Sequence, residues 1–238
     1  MLYKFIFVAA IVIESIFVPL FLKAQWPEKT NKSLLYKMIC ATMFMTAAAM
    51  AVLISGNSSY FVKLLLAALA LGWVGDLFLH LRGGKVTYVI GGMAFLSGHV
   101  IYTKAYIDMC KSVDAGWSFF NTWHIVSFLA IMTAVIILIS AKYKKLDKAF
   151  ALPWVFYSAV LTIMFIVSIS FSVTFISSGY IPLALMIGIG ATLFTISDAT
   201  IAVLDFGEVK SFPLKCVNIV TYFAGQTILA SSILFLNL

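Results

Sequence analysis

The chain has 238 residues, of which 63% are hydrophobic and 11% charged, with a mean hydropathy of +1.08. A soluble domain has about a quarter of its residues charged. Sixteen Lys+Arg and nine Asp+Glu cannot coat a water-facing surface of this size, so a soluble globule is excluded and an integral membrane protein is expected. The net charge of +7 does not point to nucleic acid, because the basic residues fall in short gaps between apolar runs and form no basic face with interleaved aromatics.

A bilayer core about 30 Å thick takes roughly 20 apolar residues per helix. Eight such runs follow along the chain, over residues 2–22, 34–54, 61–81, 86–107, 119–141, 150–171, 181–204 and 212–236. Charged or turn-rich gaps divide them at 25–33, 55–59, 82–85, 142–148, 177–179 and 205–211. The first run follows Lys4 and resembles a signal peptide. Glu14 interrupts it, however, and Leu22-Lys23-Ala24 has leucine where a small residue is expected two before the cleavage point, so a retained span is expected. The runs are twice the length of a barrel strand and do not alternate polar with apolar. The sequence therefore predicts an all-α, polytopic membrane protein of eight transmembrane helices, forming one domain over residues 1–238. Cys40, Cys110 and Cys216 show no metal or redox spacing and are expected to pack.

The odd-numbered gaps hold Lys23, Lys29, Lys32, Lys37, Arg82, Lys85, Lys142, Lys144, Lys145, Lys148, Lys210 and Lys215, which is 12 of the 16 basic residues. The other side holds Lys4, Lys63, Lys104 and Lys111. The positive-inside rule then puts both termini outside and the odd gaps in the cytoplasm.

An internal echo accompanies this plan. Phe95-Leu-Ser-Gly-His99-Val-Ile in span four resembles Tyr222-Phe-Ala-Gly-Gln226-Thr-Ile in span eight. Each follows a span with one aspartate near its cytoplasmic end, Asp76 in span three and Asp198 in span seven. A parallel 4+4 internal repeat, with halves 1–110 and 115–238, accounts for the pattern.

A carboxylate in mid-membrane costs about 2.5–3.5 kcal/mol on insertion scales. Only Glu14, Asp76 and Asp198 carry it within the spans. Helical rise puts Asp76 and Asp198 at one depth, roughly 8–9 Å inside the cytoplasmic boundary, with Lys37 at a similar level and His80 one turn from Asp76. The pair with its lysine reads as a functional cluster. Two carboxylates in a low-dielectric site divide into an acid and a base, which suits delivery of a proton to a poor leaving group or an unactivated carbon. Glu14 has no matched partner and is expected near an end or paired to a lysine. His99, Gln226, Tyr102 and Tyr222 read equally well as interhelical hydrogen bonding and packing. His124, beside Trp123, reads as an interfacial anchor. Ala68-x-x-x-Gly72 and Ala184-x-x-x-Gly188 read as close-packing stripes. No G-x-S-x-G elbow is present, and three scattered histidines do not suggest a metal centre. The residues alone stop at a membrane-embedded acid/base site for a lipid-like substrate, or a proton relay in a transporter.

Gly75-Asp76, Phe95-Leu-Ser-Gly-His99-Val-Ile-Tyr102, Leu193-Phe-Thr-Ile-Ser-Asp198 and Tyr222-Phe-Ala-Gly-Gln226, in this order and on an eight-span plan, resemble the YhhN/TMEM86 family over nearly the whole chain. Span two departs mildly, with Lys37-Met38 where the family has Lys-Pro. Members characterised as enzymes are lysoplasmalogenases, which hydrolyse the vinyl ether of lysoplasmalogens to a fatty aldehyde and a glycerophospho-base. The resemblance implies Asp76 and Asp198 as the catalytic pair, and a lysophospholipid as the partner, with no cofactor and no metal. Lys37, with His99 or Tyr222, would bind the phosphate or orient the acids; Tyr102 and Gln226 belong to the same motifs. The alternatives are a proton-coupled lipid transporter or flippase using the same aspartates, and a structural membrane protein. Fifteen Lys against one Arg suggest a bacterial inner membrane. The expected cavity opens to the cytoplasmic face between spans three, four, seven and eight, with Lys37 or Arg82 at its mouth.

Overall fold

The computed structural model describes residues 1–81, 83–142, 148–206 and 209–236; the side chains of 138–142, 148–151, 205 and 206 lie outside that description. Eight α-helices follow in order: α1 (Leu2–Gln25), α2 (Asn31–Ser55), α3 (Tyr60–His80), α4 (Gly84–Val113), α5 (Thr122–Lys142), α6 (Lys148–Ser177), α7 (Ile181–Phe206) and α8 (Phe212–Ser231). A short 3-10 turn, Ser232–Phe235, follows α8. No strand occurs among the described residues. Among the described residues seven helices are long and apolar enough to cross a bilayer, and α5 is apolar over Thr122–Ile137. Helices satisfy every backbone donor and acceptor internally, as lipid requires. The chain is a polytopic helical membrane protein.

Two helices outrun their apolar segments. The α4 helix continues past residue 107 to Val113, carrying a Lys104–Asp108 pair at 2.6 Å, one turn apart on its exposed face. The α6 helix continues past 171 to Ser177, where Phe171 and Phe175 stack with ring centroids 4.1 Å apart, both fully buried. Gly56 closes α2 in the left-handed region at φ +67°, where its amide donates to Val52 O at 2.8 Å.

The helices pair as neighbours, α1 on α2, α3 on α4 and α7 on α8, while α6 packs between α4 and α7. The α8 helix is central and meets α1, α2, α3 and α7. Two close crossings repeat. A Cβ on Gly98 of α4 would lie 3.4 Å from the carbonyl of Ala68 on α3, and one on Gly225 of α8 would lie 2.9 Å from the carbonyl of Gly190 on α7. Asp76 follows Ala68 by eight residues, and Asp198 follows Gly190 by eight. His99 and Gln226 are the next residues after the two glycines. Each aspartate thus stands about two turns along its helix from a matched small-residue contact. The small-residue positions therefore let each of these two helix pairs approach closely at matched points of the chain.

Candidate active site

The site is built from helix ends on one side of the bundle. At the start of α2, Thr30 and Ser33 form a reciprocal cap: the Ser33 amide donates to Thr30 Oγ1 at 3.0 Å, and the Thr30 amide donates to Ser33 Oγ at 2.8 Å. Ser33 Oγ also meets His80 Nε2 at 2.7 Å, tying the end of α3 to the start of α2. His80 lies one turn beyond Asp76, as its spacing predicts, but its ring reaches the α2 cap. This junction brings Lys37 to Asp76.

Asp76 is 1% exposed and has both carboxylate oxygens engaged. Lys37 Nζ stands 2.9 Å from Oδ1, and Tyr222 of α8 donates its hydroxyl to Oδ2 at 2.7 Å. Asp198 is 7% exposed, and its two bonds converge on one oxygen. Tyr157 of α6 donates to Oδ2 at 2.6 Å, and His99 Nε2 of α4 stands 3.2 Å from the same atom. His99 Nε2 is also 3.0 Å from the Tyr157 hydroxyl. The rings of Phe95 and Phe194 pack edge-on against Tyr222, and Phe194 also packs on His99, so an aromatic cluster links the two carboxylate settings.

Asp76, Asp198, Lys37, Tyr157 and Tyr222 line one cavity of about 490 Å³. Its walls come from all the helices except α5, with Lys29 of the α1–α2 connection and Lys215 of α8 also on the lining. His99, Tyr102 and Gln226 stand behind it: Tyr102 donates to Gln226 Oε1 at 3.2 Å, and Gln226 Nε2 donates to the Tyr222 hydroxyl at 3.4 Å. Hydrogen bonds thus run from buried Tyr102 through Gln226 and Tyr222 to Asp76.

The structure gathers the expected residues into two bonded sets around one space, and it differs from the sequence reading at several positions. Lys37 is held by Asp76 on the cavity wall, so it is not a free cation at a mouth; Arg82 and residues 143–147 lie outside the described residues. Glu14 neither lies near a helix end nor meets a lysine. It is buried in the middle of α1 and accepts a hydrogen bond from the Thr227 hydroxyl of α8. His124 is 1% exposed and is not an interfacial anchor. Its Nδ1 meets Phe119 O at 2.8 Å, and its ring packs between Trp117 and Phe119, because the turn before α5 folds back over it. Trp123 beside it is the exposed one.

Tyr157, Lys29, Lys215 and Asn218 are not legible as site residues in the sequence. Asn218 donates to Ser197 Oγ at 2.9 Å and to Ser197 O at 3.1 Å, fixing the start of α8 to α7 beside Asp198. A buried asparagine within a span is the available signal for it. Tyr157 carries only a weak one, since tyrosine is ordinary near a membrane interface. Among the described residues no group of His, Cys, Asp and Glu is arranged to hold a metal ion.

The model of the YhhN family matches residues 33–233, a range that contains both aspartates and every residue bonded to them. The chain belongs to the YhhN family. No curated protein and no solved structure matched it. The matched range begins just before Lys37 and ends beyond α8, leaving only α1 with its connection, the first residues of α2 and the chain's last residues outside. The YhhN match therefore takes in both bonded sets, while Lys29 lies beyond it.

Proposed function

We propose that this YhhN protein is a lysoplasmalogenase-type ether hydrolase, acting on the vinyl ether of a lysophospholipid in the membrane. The observation that carries the reading is the unequal dressing of two aspartates on one cavity: among the described residues, Asp76 has both oxygens engaged, one of them by a lysine, whereas the bonds to Asp198 meet Oδ2. Asp198 delivers a proton from Oδ1 to the β-carbon of the vinyl ether, leaving an oxocarbenium ion on the α-carbon. Tyr157 then stabilises the carboxylate left behind, since its hydroxyl already points at Oδ2, and His99 with Nε2 protonated adds a second donor to the same atom. Asp76, held by Lys37, faces the developing cation and takes a proton from the attacking water. The hemiacetal collapses, its hydroxyl proton passing to the leaving glycerol oxygen, to a fatty aldehyde and glycerophosphoethanolamine or glycerophosphocholine, and the proton gained by Asp76 returns through cavity water to Asp198. Two carboxylates managing an oxocarbenium-like centre is the logic of glycoside hydrolysis.

Lys29 and Lys215 line the same cavity as Lys37 and bring two further positive charges to it for the substrate phosphate. The test is incubation of the purified protein with lysoplasmenylethanolamine and measurement of released aldehyde. Release is expected from the native chain and is lost in Asp76→Asn and in Asp198→Asn; Asp198→Asn keeps the native unfolding profile, whereas Asp76→Asn stays folded with a lowered unfolding temperature because Lys37 loses its partner. A native protein that releases no aldehyde from any vinyl-ether lysolipid refutes the reading.

A further inference from the structure

The cavity has two kinds of wall. Deep on the side of α1, α3 and α8 the lining residues Phe21, Asp76, His80, Tyr222 and Phe223 are buried, with exposed Lys29 and half-buried Lys215 at a polar edge. On the side of α4 and α6 the lining residues are also surface residues: Val89 is 56% exposed, Met93 54% and Phe156 58%. A side chain that both lines a cavity and faces outward marks an opening. Further along, the same two helices are closed on one another by His99 and Tyr157 at 3.0 Å. Just beyond the end of α4, the Trp117 indole donates to Ser170 Oγ of α6 at 2.9 Å. Among the described residues the exposed lining of this seam therefore lies along the N-terminal parts of α4 and α6.

The glycine pair Gly91-Gly92 fits this arrangement. A Cβ on Gly91 would collide with Leu79 of α3 at 2.7 Å, so that glycine lets the two helices touch. A Cβ on Gly92 would meet nothing within 4 Å, although Gly92 lines the cavity. Space is thus left at Gly92 on the side away from α3. Val89, Gly92, Met93 and Phe156 offer the seam no polar side chain, and they lie within helices apolar enough to span a bilayer, a surface suited to lipid.

We infer that the carboxylate cavity opens sideways to the bilayer between the N-terminal halves of α4 and α6, and that the single alkyl chain of the substrate lies in this opening, along Val89, Gly92, Met93 and Phe156. The inference rests on the lysolipid reading for its occupant. A cavity of about 490 Å³ falls in the range that encloses a drug-sized ligand. A polar headgroup at Lys29 and Lys215, with the reacting ether at the aspartates, leaves no room for a long chain inside. The chain must leave, and the seam is the apolar way out. This differs from a channel running deeper into the bundle, where Phe95, Tyr222 and Phe223 pack edge to face and close the floor.

The probe is a lysophosphatidylethanolamine with a saturated ether in place of the vinyl ether and a diazirine in mid-chain, which the protein cannot cleave. Illumination with the purified full-length protein in nanodiscs is expected to label residues 89–96 and 153–157. Gly92→Phe and Met93→Trp should each reduce that labelling, and should lower the ratio of long-chain to short-chain vinyl-ether cleavage about tenfold. Met93→Trp carries the comparison if Gly92→Phe does not fold. Labelling confined to α2 or α8, an absence of labelling, or an unchanged chain-length ratio in both variants overturns the inference. Because the probe is not cleaved, the two readings separate. Labelled α4 and α6 without aldehyde release from any vinyl ether would sink the hydrolase and leave the opening. Aldehyde release with the label elsewhere would do the reverse.

Discussion

Lys37 Nζ stands 2.9 Å from Asp76 Oδ1, with the lysine side chain 13% exposed and the aspartate 1%. Removing one member of a buried ion pair leaves the other charge without compensation, at a cost of about 3–5 kcal/mol. Lys37→Met is therefore expected to lower both turnover and the unfolding temperature. The double variant Lys37→Met/Asp76→Asn should recover much of the stability and none of the turnover. Lys37→Arg should keep the fold. Thermal unfolding in detergent alongside aldehyde release reads both effects, and a Lys37→Met protein with native turnover would contradict the pairing as a catalytic element.

Much of this pair is legible in the sequence, because a carboxylate inside a span is costly enough to need a reason, and helical rise gives Asp76, Asp198 and Lys37 a common depth. The helix ends at Val113 and Ser177 are not, since polar residues continue a helix once its apolar segment has fixed the axis. Tyr157 is hidden for a different reason. Its value lies in which neighbour it faces, and the register of α6 against α7 depends on packing that periodicity does not encode. Lys29 sits in a connection whose path follows from the Thr30–Ser33 cap and its Leu79 carbonyl contact at 2.9 Å, neither of which has a strong sequence signature. The setting of Glu14 escapes the sequence because burial in α1 depends on α8 lying beside it, a neighbour more than two hundred residues away along the chain.

Tyr157 and His99 both address Asp198 Oδ2, at 2.6 Å and 3.2 Å. If Asp198 gives up the proton, negative charge grows on that carboxyl as the vinyl ether is protonated, and donors already aimed at it stabilise the transition state. Loss of one such donor typically costs about 100-fold or more in turnover. Tyr157→Phe is expected to reduce kcat by about that factor with little change in KM. His99→Gln should cost less, in keeping with its longer contact, and the double variant should fall short of the product of the two single effects. A larger change in KM than in kcat would move Tyr157 from the reaction to substrate binding.

The glycines of the two helix crossings should differ in tolerance. A Cβ on Gly225 would lie 2.9 Å from the Gly190 carbonyl and 3.1 Å from the Phe194 amide nitrogen, both backbone atoms that cannot rotate away. Gly225→Ala must push α7 from α8, and overpacking of this kind costs about 1–3 kcal/mol. Gly98→Ala, whose nearest neighbour is the Ala68 carbonyl at 3.4 Å, should be milder. Gly92→Ala meets no atom and should raise helix stability by roughly 0.5–1 kcal/mol. Unfolding temperatures in one detergent should rank the variants Gly92→Ala, Gly98→Ala, Gly225→Ala from most to least stable. Any other order would break the link between the crossings and the aspartates they position.

The membrane orientation remains an expectation of the charge count, and the cavity gives it a functional consequence. Lys29, Lys37 and Lys215 line the cavity from the α1–α2 connection and the N-terminal ends of α2 and α8, gaps in the sequence to which, together with the third and fifth, 12 of the 16 basic residues are assigned. The positive-inside rule assigns these gaps to the cytoplasm. The site would then draw its lysolipid from the inner leaflet and release the water-soluble headgroup product into the cell. Two exposed positions on opposite ends of α2 report it: Lys32 in its first turn, and Ser58 just beyond its close. Cys40 and Cys110 are buried, so a Cys216→Ser background leaves little competing thiol. A membrane-impermeant maleimide added to intact cells should label Ser58→Cys directly and Lys32→Cys only after permeabilisation. The opposite pattern would turn the protein over, open the carboxylate cavity to the outer leaflet, and require a substrate supplied from outside the cell.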